Sequence, residues 1–197
     1  MFKKIITIII GTIGIGVGIT FCIVANLGID PCSTFNNGLS NWFNIEIGTM
    51  MIITNAIIFG FMLIFYREGV HLGTIINAFG VGITINLILP TLLQFQPTTL
   101  IGQLILTLVG ILIVCIFIGV YIAPNLGFAP WDAIGYMLQK KLPFSYARIR
   151  IGYEILAVII GIILHAQFGI ATIILAFGLG PAIDFFGQKF KTILNFN

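Results

Sequence analysis

The chain has 197 residues, 59% of them hydrophobic and only 8% charged, with a mean hydropathy of +1.15 and a net charge of +3. A soluble domain keeps roughly a quarter of its residues charged, so this chain cannot cover a globule with polar groups, and lipid is the expected solvent for most of its surface. The small net charge gives no footprint for nucleic acid. Cys22, Cys32 and Cys115 are too few and too widely spaced for a disulfide framework or a metal site, so neither metal nor cofactor is expected.

The first apolar run, Ile5 to Ala25, is longer than the ~7–15 residues of a signal-peptide core. No small-x-small site closes it, and Phe21 ahead of Cys22 argues against a lipoprotein site. It reads as a retained transmembrane helix. Its glycines, "GTIGIGVG" at 11–18, lack the strand-turn-helix setting of a phosphate loop. Gly14 and Gly18 instead suit close helix packing.

Next comes "NLGIDP" at 26–31, followed by a short helix expected over 31–43, with Asp30 as N-cap and Pro31 at its first position. Ser33, Asn36, Asn37 and Ser40 share one face of that helix; Phe35, Leu39, Trp42 and Phe43 form the other. Spans are expected at 49–66 and 72–90, the first containing Asn55 and the second Asn77 and Asn86, whose amides suit interhelical hydrogen bonds. A fourth span is expected at 98–123.

"NLGFAPWD" at 125–132 then nearly repeats the earlier phrase, offset by 99. A second short helix is expected over 130–142, where Asp132, Gly135, Tyr136 and Gln139 take the places of the first helix's polar stripe. Spans five and six are expected at 150–167 and 168–186, with a tail at 187–197. "LAFGLG" at 175–180 echoes "NAFGVG" at 77–82 with an offset of 98. Arg150 and Glu154, four apart, meet on one helix face. Asp184 is read as interfacial near the end of the last span, and His165 as solvated near the outer surface.

The fold class expected is therefore an all-α membrane protein of six transmembrane helices. They form two inverted-topology repeats of three, residues 1–90 and 98–186, each with a short helix after its first span. Two readings of the short helices stand open: re-entrant half-helices lining a polar cavity, or amphipathic helices lying in the interface. With both termini in the cytoplasm, all nine cations fall on the cytoplasmic side. The expected location is the plasma membrane.

Several stretches together resemble the YczE/YitT group of small bacterial membrane proteins, and its YczE side more closely. They are "LGIDPCSTFNNGLSNWFNIEIGTM", "HLGTIINAFGVGITINLILP", "LGFAPWDAIGYML", "ARIRIGYE" and "GIATIILAFGLGP". The resemblance implies a polytopic, internally repeated bacterial protein. It matches a P-x-D pattern at Pro130 and Asp132, and an arginine four before a glutamate at Arg150 and Glu154. Trp131 stands where relatives often carry a basic residue.

The expected function is a small transporter-like permease. Ser33, Asn36, Asn37, Asp132 and Tyr136 would bind a small polar or amphipathic solute, and Arg150 with Glu154 would gate or couple. The alternatives are a substrate-capturing subunit that needs an ATPase partner, and an accessory membrane protein. Small residues along the spans are compatible with a homo-oligomer or a partner helix. Without a clustered acid-base or nucleophilic set, an enzyme is the least expected class.

Overall fold

The computed structural model describes residues 1–196; Asn197 and the side chain of Asp184 lie outside the described residues. The described chain is helical, in eight helices. These are α1 (Phe2–Ala25), α2 (Pro31–Phe43), α3 (Ile47–Phe65), α4 (Leu72–Leu92), α5 (Leu100–Ile122), α6 (Pro130–Gln139), α7 (Tyr146–Ile163) and α8 (Ile170–Ile193). Five are long and apolar enough to cross a membrane, namely α1, α3, α4, α5 and α8. The expected fifth span differs: α7 has 18 residues and carries Arg148, Arg150 and Glu154.

Local chemistry explains the helix limits. Asp30 caps α2 as expected, its Oδ1 accepting from the Ser33 N–H at 3.1 Å. The second short helix stops at Gln139 rather than 142, because Pro143 disfavours helical backbone in the residue before it. The helix expected over 150–167 is shifted toward the N-terminus. It ends at Ile163, where His165 takes a left-handed conformation and the Ala166 N–H donates back to the Gly161 carbonyl at 2.8 Å. At the C-terminal end α8 runs on to Ile193, so residues 187–193 are helical.

Helix α1 is the buried hub, packed along α4 and antiparallel to α5. Gly11 and Gly18 let the backbones of α1 and α5 approach closely: a Cβ on Gly11 would lie 2.7 Å from Tyr121 N, and one on Gly18 2.8 Å from Val114 N and 2.9 Å from Gly110 O. Helix α5 packs in turn on α8, α2 on α7, and α3 on both α4 and α6. Outer faces carry large exposed apolar side chains, among them Ile64, Leu87, Ile101 and Phe177, as lipid-facing helices require.

The repeated N-L-G phrase has a conformational cause. Asn26 and Asn125 adopt left-handed backbone at φ 57° and 51°, while Gly28 and Gly127 reach φ 102° and 103°. Asparagine tolerates the first conformation and only glycine reaches the second without strain. Each turn then docks on the start of a helix far along the chain. The Ala171 N–H at the start of α8 donates to the Leu27 carbonyl at 3.0 Å, and the Gly73 N–H at the start of α4 donates to the Leu126 carbonyl at 2.9 Å.

Burial repeats with the same register. The buried positions of α7, Ile149, Glu154, Ala157 and Gly161, lie 99 residues after Met50, Asn55, Ile58 and Met62, all buried on α3. On α8, buried Ala171, Thr172, Leu175 and Leu179 lie 98 after Gly73, Thr74, Asn77 and Val81, all buried on α4. One pair breaks the pattern. Helices α3 and α4 pack along each other, whereas α7 and α8 are separated by a crevice of about 160 Å³.

Lysines occupy the helix ends, while Arg150 is largely buried among Asp132 and Glu154. Lys3 Nζ donates to the Leu194 carbonyl at 2.8 Å, joining the two ends of the chain. Lys140 pairs with Glu68, and Lys141 lies over the Phe65 ring, 5.1 Å from its centroid.

Candidate functional site

The two short helices start deep in the bundle, and their first turns face one another. Phe35 on α2 and Trp131 on α6 meet in a tilted arrangement, 5.9 Å between ring centroids and 41° between planes. Asp30, Cys32 and Ser33 from one side and Ala129, Trp131 and Asp132 from the other line a shared cavity of about 100 Å³. The walls are completed by Asn55 of α3, Asn77 of α4, Tyr121 of α5 and Arg150 of α7. The first turns of both short helices are buried in the bundle, with Pro31, Ser33 and Thr34 buried on α2 and Pro130 and Ala133 on α6.

A second cavity of about 380 Å³ lies beside the first, toward the end that carries the lysines. Tyr121, Phe128, Asp132, Tyr136, Tyr146 and Arg150 are among its walls. Tyr136 is stacked between neighbours, 4.4 Å from both the Phe128 and the Tyr146 ring centroids. Tyr121, Ala129, Asp132, Arg150 and Ile183 line both cavities and so form the partition between them.

Arg150 sits at the centre of that partition. Its Nη1 lies 3.3 Å from Asp132 Oδ1, and its Nε donates to Glu154 Oε1 at 2.8 Å. Nη1 also faces the Tyr146 hydroxyl at 3.4 Å. With side chains 16%, 21% and 8% exposed, Arg150, Asp132 and Glu154 form a largely buried triad with two formal negative charges and one positive. Such a group holds together only while each charge is compensated. Breaking one contact frees a carboxylate to take a proton or a ligand.

Of the residues expected to bind solute, Ser33 and Asp132 share the central cavity, and Asp132 and Tyr136 share the second. Asn36 and Asn37 point elsewhere. Asn36 Nδ2 donates to the Cys32 carbonyl at 2.8 Å, and Asn37 Oδ1 accepts from the Gln167 N–H at 2.7 Å, tying α2 to the segment before α8. Helix α2 meets α7 through Thr34 and Gly38, which close on Gly161, a contact the helical wheel alone could not specify. The amides of the long helices bond between helices as expected: Asn55 Nδ2 to the Ala78 carbonyl at 3.2 Å, and Asn86 Nδ2 to Thr49 Oγ1 at 2.7 Å.

The sequence reading passed over Tyr121, Tyr146 and the cavity role of Asp30. Asp30 was visible only as a cap, and the tyrosines carry no local signal. Their place in the walls follows from helix packing. The exposed His165 offers its carbonyl to Asn41 Nδ2 at 2.8 Å and takes no part in the site. The described residues contain no group of three or more His, Cys, Asp or Glu side chains able to hold a metal ion.

Lipid-facing helices around buried polar cavities define a multi-pass membrane protein. The family comparison agrees, matching the model of a family of unknown function, DUF6198, over residues 2–188, and the chain belongs to that family. It is similar to the uncharacterised membrane protein YczE of Bacillus subtilis, at 28% identity over 86% of this chain and 78% of that protein. It is also similar to an uncharacterised protein of Haemophilus influenzae, at 27% identity over 93% of this chain and 83% of the relative. No solved structure matches the chain.

Proposed function

We propose that this protein is a small secondary-transporter-like permease built from two inverted three-span halves. It would pass a small polar or amphipathic solute through the space between the first turns of α2 and α6. The observation that carries the reading is the shared cavity, to which the two short helices contribute Ser33 and Asp132. Paired broken segments that meet at depth are the usual site architecture of inverted-repeat carriers. The reciprocal docking of Leu27 on α8 and Leu126 on α4 supports two equivalent halves.

In this reading α7 is the sixth crossing. Its charged Arg150 and Glu154 turn inward, while Ile151, Ile155, Leu156, Ile159 and Ile163 face lipid. The lysine-bearing end is cytoplasmic, so the larger cavity is a cytoplasmic vestibule. The Arg150 pairs with Asp132 and Glu154 close the passage between vestibule and centre.

The test is a thermal-shift screen of the detergent-purified protein against amino acids, vitamins, organic anions and amphipathic metabolites, with Asp132→Asn as control. A ligand-specific rise that the variant loses supports the site, and uptake by proteoliposomes then separates a self-sufficient carrier from a capture subunit. The apolar crevice between α7 and α8 favours a second reading, an accessory protein that seats a partner helix there. A stable copurifying membrane partner, with no solute response, selects it.

A further inference from the structure

The two halves differ at a single seam, and the difference has chemical content. Asn55 donates its amide to the Ala78 carbonyl across the packed α3–α4 seam. The residue 99 positions after Asn55 is Glu154, and the residue 98 after Ala78 is Ala176; both line the open crevice between α7 and α8. That crevice is apolar except for Glu154 and Thr172.

The small residues tell the same story. A Cβ on Gly82 would strike the Gly48 carbonyl and come within 2.7 Å of Ile52 Cγ1, so this glycine is what lets α3 and α4 touch. Its counterpart Gly180, and Gly178 beside it, have nothing within 4 Å of the same built position. Helix α8 thus carries the small residues of a helix–helix seam with no helix seated on them.

A carboxylate cannot do what the Asn55 amide does, because it has no hydrogen to donate. A protonated carboxyl can. We propose that Glu154 is a proton-binding site, and that its protonation closes α7 onto α8 through a Glu154 hydroxyl donating to the Ala176 carbonyl, as Asn55 holds α3 to α4. This deepens the permease reading by naming the coupling ion.

The proton comes from water reaching the partition and ends on a Glu154 carboxylate oxygen. Arg150 Nε gives up that partner, and the guanidinium keeps Asp132. The triad passes from one net negative charge to none, which lowers the cost of moving it within a low-dielectric bundle. Arg150 contacts Glu154 directly, and Thr172 and Ala176 of α8 line the crevice with it. Asp132 of α6, Asp30 and Cys32 at the start of α2 and Tyr153 of its own helix are the other titratable groups that act on it electrostatically.

By the equivalence of the halves, closure of α7 on α8 is matched by release of α3 from α4, which is the alternate state an inverted-repeat carrier requires. Here the structure holds the first seam shut and the second open.

Disulfide trapping in proteoliposomes of the full chain tests this. The pair Ile151→Cys with Gly180→Cys reports the α7–α8 seam, being the counterpart of Ile52 with Gly82. The pair Thr49→Cys with Asn86→Cys reports the α3–α4 seam. Linked peptides are read by mass spectrometry, so Cys22, Cys32 and Cys115 can stay in place. A permanent donor, Glu154→Gln, stands in for the protonated acid.

The expected result is a 151–180 yield that rises roughly threefold or more from alkaline to acid pH, while the 49–86 yield falls. With Glu154→Gln the 151–180 yield is high at both. A yield independent of pH with Glu154 present overturns the proposal, as does an equal acid-induced rise in the Glu154→Gln background, which would assign the proton to another group. Should the Gln variant not fold, the titration with Glu154 intact still decides. The trapping needs no solute, so a proton-dependent seam together with no ligand in the thermal-shift and uptake assays would sink the permease and keep this inference, and a bound solute with a pH-independent seam would do the reverse.

Discussion

Helices α3 and α4 are packed shut, while their counterparts α7 and α8 stand apart around an apolar crevice. Gly82 of the closed seam has its counterpart in Gly180, while Gly48 has Ala147, and larger apolar side chains line most of the crevice. Polarity differs as well: the α3–α4 seam carries two amide bonds, Asn55 to the Ala78 carbonyl and Asn86 to Thr49 Oγ1, whereas the counterpart of Asn55 is Glu154, an acid paired with Arg150, and the counterpart of Thr49 is Arg148. On the proposal above, the salt bridge from Arg150 to Glu154 competes with closure of the α7–α8 seam.

The largest expected effect comes from removing the competitor. Arg150→Ala leaves Asp132 and Glu154 without their shared cation in a largely buried site, a loss of about 3–5 kcal/mol in other proteins. A marked drop in melting temperature in detergent checks it. The double variant Asp132→Asn with Glu154→Gln on the Arg150→Ala background should recover most of the loss, because no uncompensated charge then remains.

Next are the two turns. Gly28→Ala and Gly127→Ala each force a side chain into a backbone region that costs about 1–3 kcal/mol. At Gly28 the new carbon would also lie 2.6 Å from Thr172 Oγ1, and at Gly127 it would press on Thr74 Oγ1. Equal losses in the two variants support equivalent docking of the halves. A mild effect at one and a severe effect at the other would mean that only one turn bears on the fold.

Much of this was legible in the sequence, and the physics says which part. Length and hydropathy reveal long helices because a bilayer leaves few alternatives. The N-L-G phrase marks its own turns because Asn and Gly are there for backbone reasons, and Asp30 with Pro31 announces the start of α2. The site was less visible. Ser33 and Asp132 stand in the first turns that meet, so their pairing followed from the repeat. Asn36 and Asn37 lie on the same helical face as Ser33, yet only Ser33 reaches the cavity: Asn36 bonds back to the Cys32 carbonyl and Asn37 is taken by the Gln167 N–H before α8. Tyr121 and Tyr146 come from helices whose crossings no local pattern encodes. The charges of α7 were read correctly as a pair, while the third partner, Asp132, needed the tertiary fold.

Smaller effects probe the seams directly. Gly82→Ala meets the Gly48 backbone and should cost about 1–3 kcal/mol as an overpacked contact. Gly180→Ala faces open space and should change stability by less than about 0.5 kcal/mol. Thermal denaturation of the two variants under one set of conditions measures the contrast; similar losses would show α7 already resting on α8.

The smallest effect is at the hydrogen bond itself. Asn55→Ala removes one interhelical bond from the α3–α4 seam, and such bonds average about 0.6 kcal/mol in membranes. The fold should survive with a small loss of thermal stability. The 49–86 cysteine pair removes the other side-chain bond of the seam, Asn86 Nδ2 to Thr49 Oγ1. In that background the variant leaves only packing, should spend more time with α3 released, and should form the 49–86 disulfide more slowly. Asn55→Asp sharpens the comparison, since it gives the first half the chemistry of the second. At alkaline pH it has no donor for the Ala78 carbonyl and no arginine at the place of Arg150, where Met51 stands, so the seam should loosen more than in Asn55→Ala. On acidification the protonated aspartic acid regains a donor, and the disulfide rate should return toward that of the parent. A rate that stays low at acid pH would show that a carboxyl cannot replace the amide at this seam.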